Sequence, residues 1–168
     1  MNTMPSRIKP GKLAIFTAFA VSLYVLETFF PKPIPWFRWG FSNAFVLALL
    51  IEEGILSAFL VSIGKTLIGC LFTGTLFTPS LLFSFTGGMA SLLVMTGLYF
   101  SGIFGIIGTS MGGAGAHSLA QVLLSSLLFT GRPSFSYLYP VFLAFSSITG
   151  TITGVIAWKI TERSERWH

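Results

Sequence analysis

GIIGTSMGGAGAHSLAQ, running from Gly105 to Gln121, is the stretch that decides how the chain folds. It lies within a long apolar region, yet it is dense in glycine and carries a histidine and a glutamine. In a helix, Gly113, His117 and Gln121 stand at i, i+4 and i+8 and so share one face. A histidine and a glutamine one turn apart at membrane depth need partners from neighbouring helices. The surrounding glycines let those helices come close. The expectation is a helix over about residues 106–129, packed on that face against the rest of the chain.

The remaining sequence has the composition of such partners. Of 168 residues, 53% are hydrophobic and only 9% charged, with a mean hydropathy of +0.82. Soluble domains carry about a quarter charged residues, so the chain reads as a polytopic integral membrane protein. Its length suits one compact bundle without a separate soluble domain. The formal charge of +5 invites a nucleic-acid reading, but the cations sit at the ends. Arg7, Lys9 and Lys12 precede the first apolar run, and Lys159, Arg163 and Arg166 follow the last. Such flanks set orientation and meet lipid headgroups, which excludes nucleic acid as the expected partner. The single cysteine, Cys70, leaves no intrachain disulfide and reads as a small packing residue.

Six hydrophobic segments follow from the breakers. A basic tail occupies 1–12. The first segment covers about Leu13–Phe30 and stops at Pro31-Lys-Pro-Ile-Pro35; it reads as a retained helix rather than a cleaved leader. Trp36, Phe37, Arg38 and Trp39 then form an aromatic and cationic cluster suited to a membrane interface. The second segment, about Ser42–Ile51, is too short to cross ~30 Å of hydrocarbon and is expected to be broken or partly buried. The others run about Ile55–Phe77, Leu81–Phe100, Ile106–Phe129 and Tyr137–Ile160, so the bundle occupies 13–160 and a charged tail 161–168. Six crossings put both basic termini on one side, the cytoplasmic side of the cell membrane.

Within these segments stand Glu27, Asn43, Lys65, His117 and Gln121. An ionisable group in the membrane costs at least ~2.5 kcal/mol unless satisfied. Two explanations stay open. Glu27 and Lys65 form a structural ion pair while His117 and Gln121 join helices, or the set lines a pocket for a ligand. Asn43 alone also suits a helix N-cap. No second His or Cys stands at ligand spacing to His117, so neither a metal nor a cofactor is expected. The glycines near Gly112 follow no strand and precede no acid, so they serve close packing rather than dinucleotide binding. Asp is absent, and Glu52-Glu53 is the lone adjacent acidic pair; adjacent helix residues do not face one way. Magnesium–diphosphate chemistry and autonomous catalysis are therefore not expected.

Five motifs in order carry a resemblance: Glu27 before Pro-x-Pro-x-Pro, Trp39-Gly-Phe-Ser-Asn43, Lys65-Thr-Leu-Ile-Gly-Cys-Leu-Phe-Thr-Gly74, the run Ser84–Met95, and Gly113-Ala-Gly-Ala-His-Ser-Leu-Ala-Gln121. Over about residues 13–157 the chain resembles the Gx transporter family, also labelled heptaprenyl diphosphate synthase component I. That family more often carries Arg where Lys65 stands and Asn where Ser118 stands; Lys keeps the charge without the planar fork. The resemblance extends to substrate-capturing S components of energy-coupling-factor transporters. It implies an all-α six-helix bundle in which Glu27, Asn43, Lys65, His117 and Gln121 bind a small vitamin- or quinone-precursor-like molecule. It also implies docking of a coupling subunit on Ala14 and Ala18, and ATP hydrolysis by partner ATPases, since this chain has no Walker motif. The older label implies a different role, that of a non-catalytic membrane subunit supporting a prenyl diphosphate synthase. A purely structural membrane subunit is the third reading. The glycine-rich faces also permit a homo-oligomer.

Overall fold

A computed structural model describes residues 9–31, 38–129 and 139–165. Among these there are six α-helices and no strand: α1 (Pro10–Leu26), continued by a 3-10 turn (Glu27–Phe29), α2 (Asn43–Glu52), α3 (Ile55–Phe72), α4 (Pro79–Ser101), α5 (Ile106–Phe129) and α6 (Tyr139–Glu165). The bundle is inside-out relative to a water-soluble one. On α5, Thr109, Ser110, His117, Ser118, Gln121, Ser125 and Ser126 face inward, while Ile107, Met111, Leu119, Leu123 and Leu127 face outward. Lipid is as apolar as leucine, so small and polar side chains gain more by meeting one another inside. Four stretches are long and apolar enough to cross a bilayer: Pro10–Phe29, Ile55–Phe72, Pro79–Ser101 and Tyr139–Ser164. α5 is as long, but its inward face makes it less apolar. The protein is an all-α membrane bundle.

α2 is its axis. With 10 residues it rises about 15 Å, half the hydrocarbon thickness. Val46, Leu47, Ala48 and Leu49 are wholly buried, and the helix touches α1, α3, α4 and α6. A helix apolar all round belongs inside. The short segment expected from sequence is therefore a buried helix of half the hydrocarbon thickness, entered through the irregular residues 38–42. Gly40 (φ +81°) and Gly54 (φ +90°) turn the chain into and out of it, in a region where a side chain would be strained.

The start of α1, the end of α2 and the last turns of α6 meet at one end of the bundle. Lys12 pairs with Glu52 (2.5 Å) and Glu53 (3.2 Å), in a cleft also bordered by Lys9, Thr161 and Ser164. The adjacent glutamates both reach Lys12 because Glu53 has left the helix as its C-cap. Some boundaries moved. α1 begins at Pro10, where proline needs no helical N–H partner. α3 ends five residues before the expected Phe77, at a turn through Gly74 (φ +66°). α6 continues through 161–165, within the expected tail.

α5 and α6 make the closest backbone contact. A Cβ at Gly150 would lie 2.6 Å from Met111 Cα, and one at Gly154 would lie 2.8 Å from Ile107 Cα. This Gly-x-x-x-Gly face on α6 complements Gly112 and Gly113, which receive Leu98 and Met95 of α4. Gly150→Val is expected to wedge α5 from α6 and destabilise the protein by about 1–3 kcal/mol. Gly97→Ala, with open space around it, should leave stability unchanged or raise it by up to about 1 kcal/mol. Thermal unfolding of both variants in detergent checks the contrast.

Candidate functional site

The irregular chain before α2 determines the site. Residues 38–42 run into the bundle, with Arg38 and Ser42 buried and Trp39, Gly40 and Phe41 half-buried. Their N–H groups, outside any helix ladder, need acceptors where water is excluded. Glu27 supplies two. The chain tightens into the 3-10 turn ahead of Pro31, which turns the carboxylate inward, where the residue is 2% exposed. Its Oε1 accepts from the Ser42 N–H (2.8 Å) and its Oε2 from the Gly40 N–H (3.2 Å). A carboxylate here also favours the N-terminal end of α2. Gln121 Oε1 supplies a third acceptor, to the Arg38 N–H (3.2 Å).

Lys65 comes to the same place from α3. It donates to Ser42 Oγ (3.0 Å) and to Asn43 Oδ1, and Asn43 Nδ2 donates to Ser91 Oγ of α4 (3.3 Å). Glu27 and Lys65 are therefore bridged through Ser42 instead of closing on each other as an ion pair. Asn43 is the first residue of α2, not its N-cap, which is Ser42. Its amide is used across helices.

His117 and Gln121, one turn apart on α5, bond to each other at 3.0 Å. Because Gln121 Oε1 is taken by Arg38, its amide nitrogen donates to His117 Nε2, which puts the ring proton on Nδ1. That Nδ1 is buried and makes no close hydrogen bond, though the Gly87 and Arg38 backbones lie near enough to interact with the ring. The ring lies between Gly40 and Gly87, and a Cβ at Gly87 would come within 2.8 Å of it. Ser118 instead accepts from Ser146 Oγ at 2.6 Å, so it joins α5 to α6.

All five sequence-derived residues, Glu27, Asn43, Lys65, His117 and Gln121, thus fall in one network drawn from the 3-10 turn, α2, α3 and α5, with α4 contributing Ser91. Arg38 belongs to it as well, and sequence reasoning misplaced it. Assigned to the membrane interface with Trp36, Phe37 and Trp39, it is 3% exposed and stacks on the Tyr24 ring, 4.0 Å away. Trp36 and Phe37 lie outside the described residues. The usable signal was that Arg38 directly precedes the Trp39–Asn43 motif. Ser42, Gly40 and Gly87 carried no signal of their own.

A second feature lies on the outside of the bundle. Leu13, Ala14, Thr17, Ala18, Val21 and Phe72 line an open apolar groove of about 600 Å³ along α1 and α3. Ala14 and Ala18 are exposed or nearly so at its floor, and neither they nor the groove touches the polar network.

Across residues 16–160 the chain matches the family model described as heptaprenyl diphosphate synthase component I. The chain belongs to that family. Comparison with curated proteins and with solved structures gives no match. The match spans α2 to α5 and most of α1 and α6, so the polar network and most of the groove lie inside the shared region.

Glu27→Ala would leave two inward N–H groups without acceptors and two buried cations without a counter-charge. A loss of about 3–5 kcal/mol is expected. Glu27→Gln keeps one carbonyl acceptor and should lose less. Chemical unfolding in detergent, run on both variants, checks the order.

Proposed function

We propose that this protein captures a small molecule among Glu27, Asn43, Lys65, His117 and Gln121 and passes it across the cell membrane as the substrate-binding component of an energy-coupled transporter. One observation carries the reading: polar groups from five elements converge at one level, and His117 Nδ1 makes no close hydrogen bond there. Helix-joining polar groups in membranes normally satisfy one another. A structural ion pair would have Glu27 closed on Lys65, whereas both are turned onto the chain at Ser42.

The groove over Ala14 and Ala18 supports the energy-coupling half of the reading. A small-xxx-small face lets a partner helix approach closely, and the groove leaves room for its side chains. The coupling subunit and its ATPases would act from the cytoplasmic side, where both basic termini of this chain would lie. In this scheme the chain binds and carries but catalyses nothing.

Native mass spectrometry of gently extracted protein tests the site. A small molecule should co-purify with the wild type and be lost in Lys65→Ala and His117→Ala. If nothing is bound and both variants only lose thermal stability, the network is structural. Ala14→Trp combined with Ala18→Trp should abolish pull-down of a coupling subunit while leaving small-molecule retention intact. Equal pull-down by the double variant would remove the groove from the scheme.

The family description favours a second reading, a non-catalytic membrane subunit of a prenyl diphosphate synthase. Co-purification with a soluble synthase, together with a change in its product length, would support it.

A further inference from the structure

Arg38 is buried with no ion pair of its own among the described residues. Its Nη2 donates to Ser80 Oγ (3.1 Å) and its guanidinium lies on the Tyr24 ring, while Nε and Nη1 are buried with no hydrogen bond. The Tyr24 hydroxyl is fixed by Ser84 and Cys70, both at 2.9 Å, so the ring is a set platform. Buried arginines ordinarily meet a carboxylate, because the planar guanidinium offers five donors and never loses its charge.

Among the described residues, no acid is placed to play that part. The sequence has no Asp and five Glu. Both oxygens of Glu27 accept backbone N–H groups, and its single charge is shared between Lys65 and Arg38, both within its electrostatic reach. Glu52 and Glu53 pair with Lys12 at the far end, where Thr161 and Ser164 place the last turn of α6, with Glu162 in it. The sequence stretches 32–37 and 130–138 contain Lys32 and Arg132 but no acid. Two buried cations and one carboxylate leave one positive charge uncompensated at Arg38, in a setting where burial makes that costly.

We propose that Arg38, rather than Lys65, recognises an oxyanion on the bound molecule, a carboxylate or phosphate bearing one net negative charge. The inference rests on the small-molecule reading above. Lys65 already has Ser42 and Asn43 as acceptors, whereas Arg38 has donors directed at nothing. The oxyanion sits against Nε and Nη1 and completes the neutralisation of the Glu27, Lys65 and Arg38 set. Tyr24 holds the guanidinium plane from one side.

The test uses the full chain in phosphatidylcholine nanodiscs, reading the thermal-unfolding midpoint. The probes are acetate and inorganic phosphate, each against chloride at matched ionic strength, with acetamide as the neutral analogue of acetate. At least one oxyanion should raise the wild-type midpoint and acetamide should not. Arg38→Gln should weaken the apparent affinity more than about tenfold, and Arg38→Lys should weaken it less. Ser80→Asp guards against misfolding of the Arg38 variants. It sets a carboxylate beside Nη2 in the first turn of α4, where acids are welcome, and should abolish the oxyanion response. An unresponsive wild type, or variants that respond like the wild type, would overturn the proposal. Native mass spectrometry of the same variants separates the two readings. A neutral or cationic molecule retained without an oxyanion response sinks the Arg38 assignment and leaves small-molecule capture standing. Phosphatidylglycerol lost on Arg38→Gln keeps the oxyanion site but makes its source a lipid headgroup, against capture. Neither response nor bound molecule sinks both.

Discussion

A short run of backbone outside any helix, folded partly into the interior, is the constraint around which this bundle is arranged. Residues 38–42 bring inward N–H groups that hydrocarbon cannot accept from. The acceptors come from far along the chain: a carboxylate at position 27 and an amide oxygen at position 121. Each acceptor then needs its own setting. The carboxylate draws Lys65 towards Ser42, and the amide fixes the His117 ring, for which Gly40 and Gly87 leave room. The polar network is therefore a nested set of answers to one backbone problem, and the binding reading depends on the groups those answers leave unused.

Much of this was legible in the sequence, for physical reasons. Hydrophobic segments between prolines and glycines are governed by bilayer thickness, so the helix order and the weakness of the second segment could be read directly. The i, i+4, i+8 spacing put Gly113, His117 and Gln121 on one face, and all three are buried there. Positions set by tertiary approach were not legible. Arg38 follows an aromatic cluster and so resembled an interface residue; only the fold of the loop shows it turned inward. The Gly150 and Gly154 pair has the spacing of many exposed glycines, and only the path of α5 shows why no Cβ fits. The pairing of Lys12 with adjacent glutamates depended on where α2 ended, which sequence places only to within a residue or two.

Two packing regimes share the molecule. α5 and α6 meet backbone to backbone over glycine, with serine and threonine hydroxyls closing local bonds such as Ser146 to Ser118. The α1, α2 and α3 side is conventional, with Ala20, Val46, Leu47, Ala58 and Val61 forming a dry aliphatic core. The polar network sits where the two regimes meet. α1, bearing the open groove, belongs to the aliphatic side, so the groove and the α5 histidine lie on different halves of the bundle.

The buried length of α2 also bears on permeability. From Val46 to Leu50 every residue is at most 1% exposed, which makes a water-free septum about 7 Å thick between the polar network and the end where Lys12 meets Glu52 and Glu53. Along α2 itself no side chain in that stretch can hydrogen-bond, while α3, α5 and α6 carry buried hydroxyls such as Ser62, Thr109 and Thr153. In the proposed capture scheme, a solute on the network side would reach the other end only if the helices around this stretch shift or the whole protein reorients.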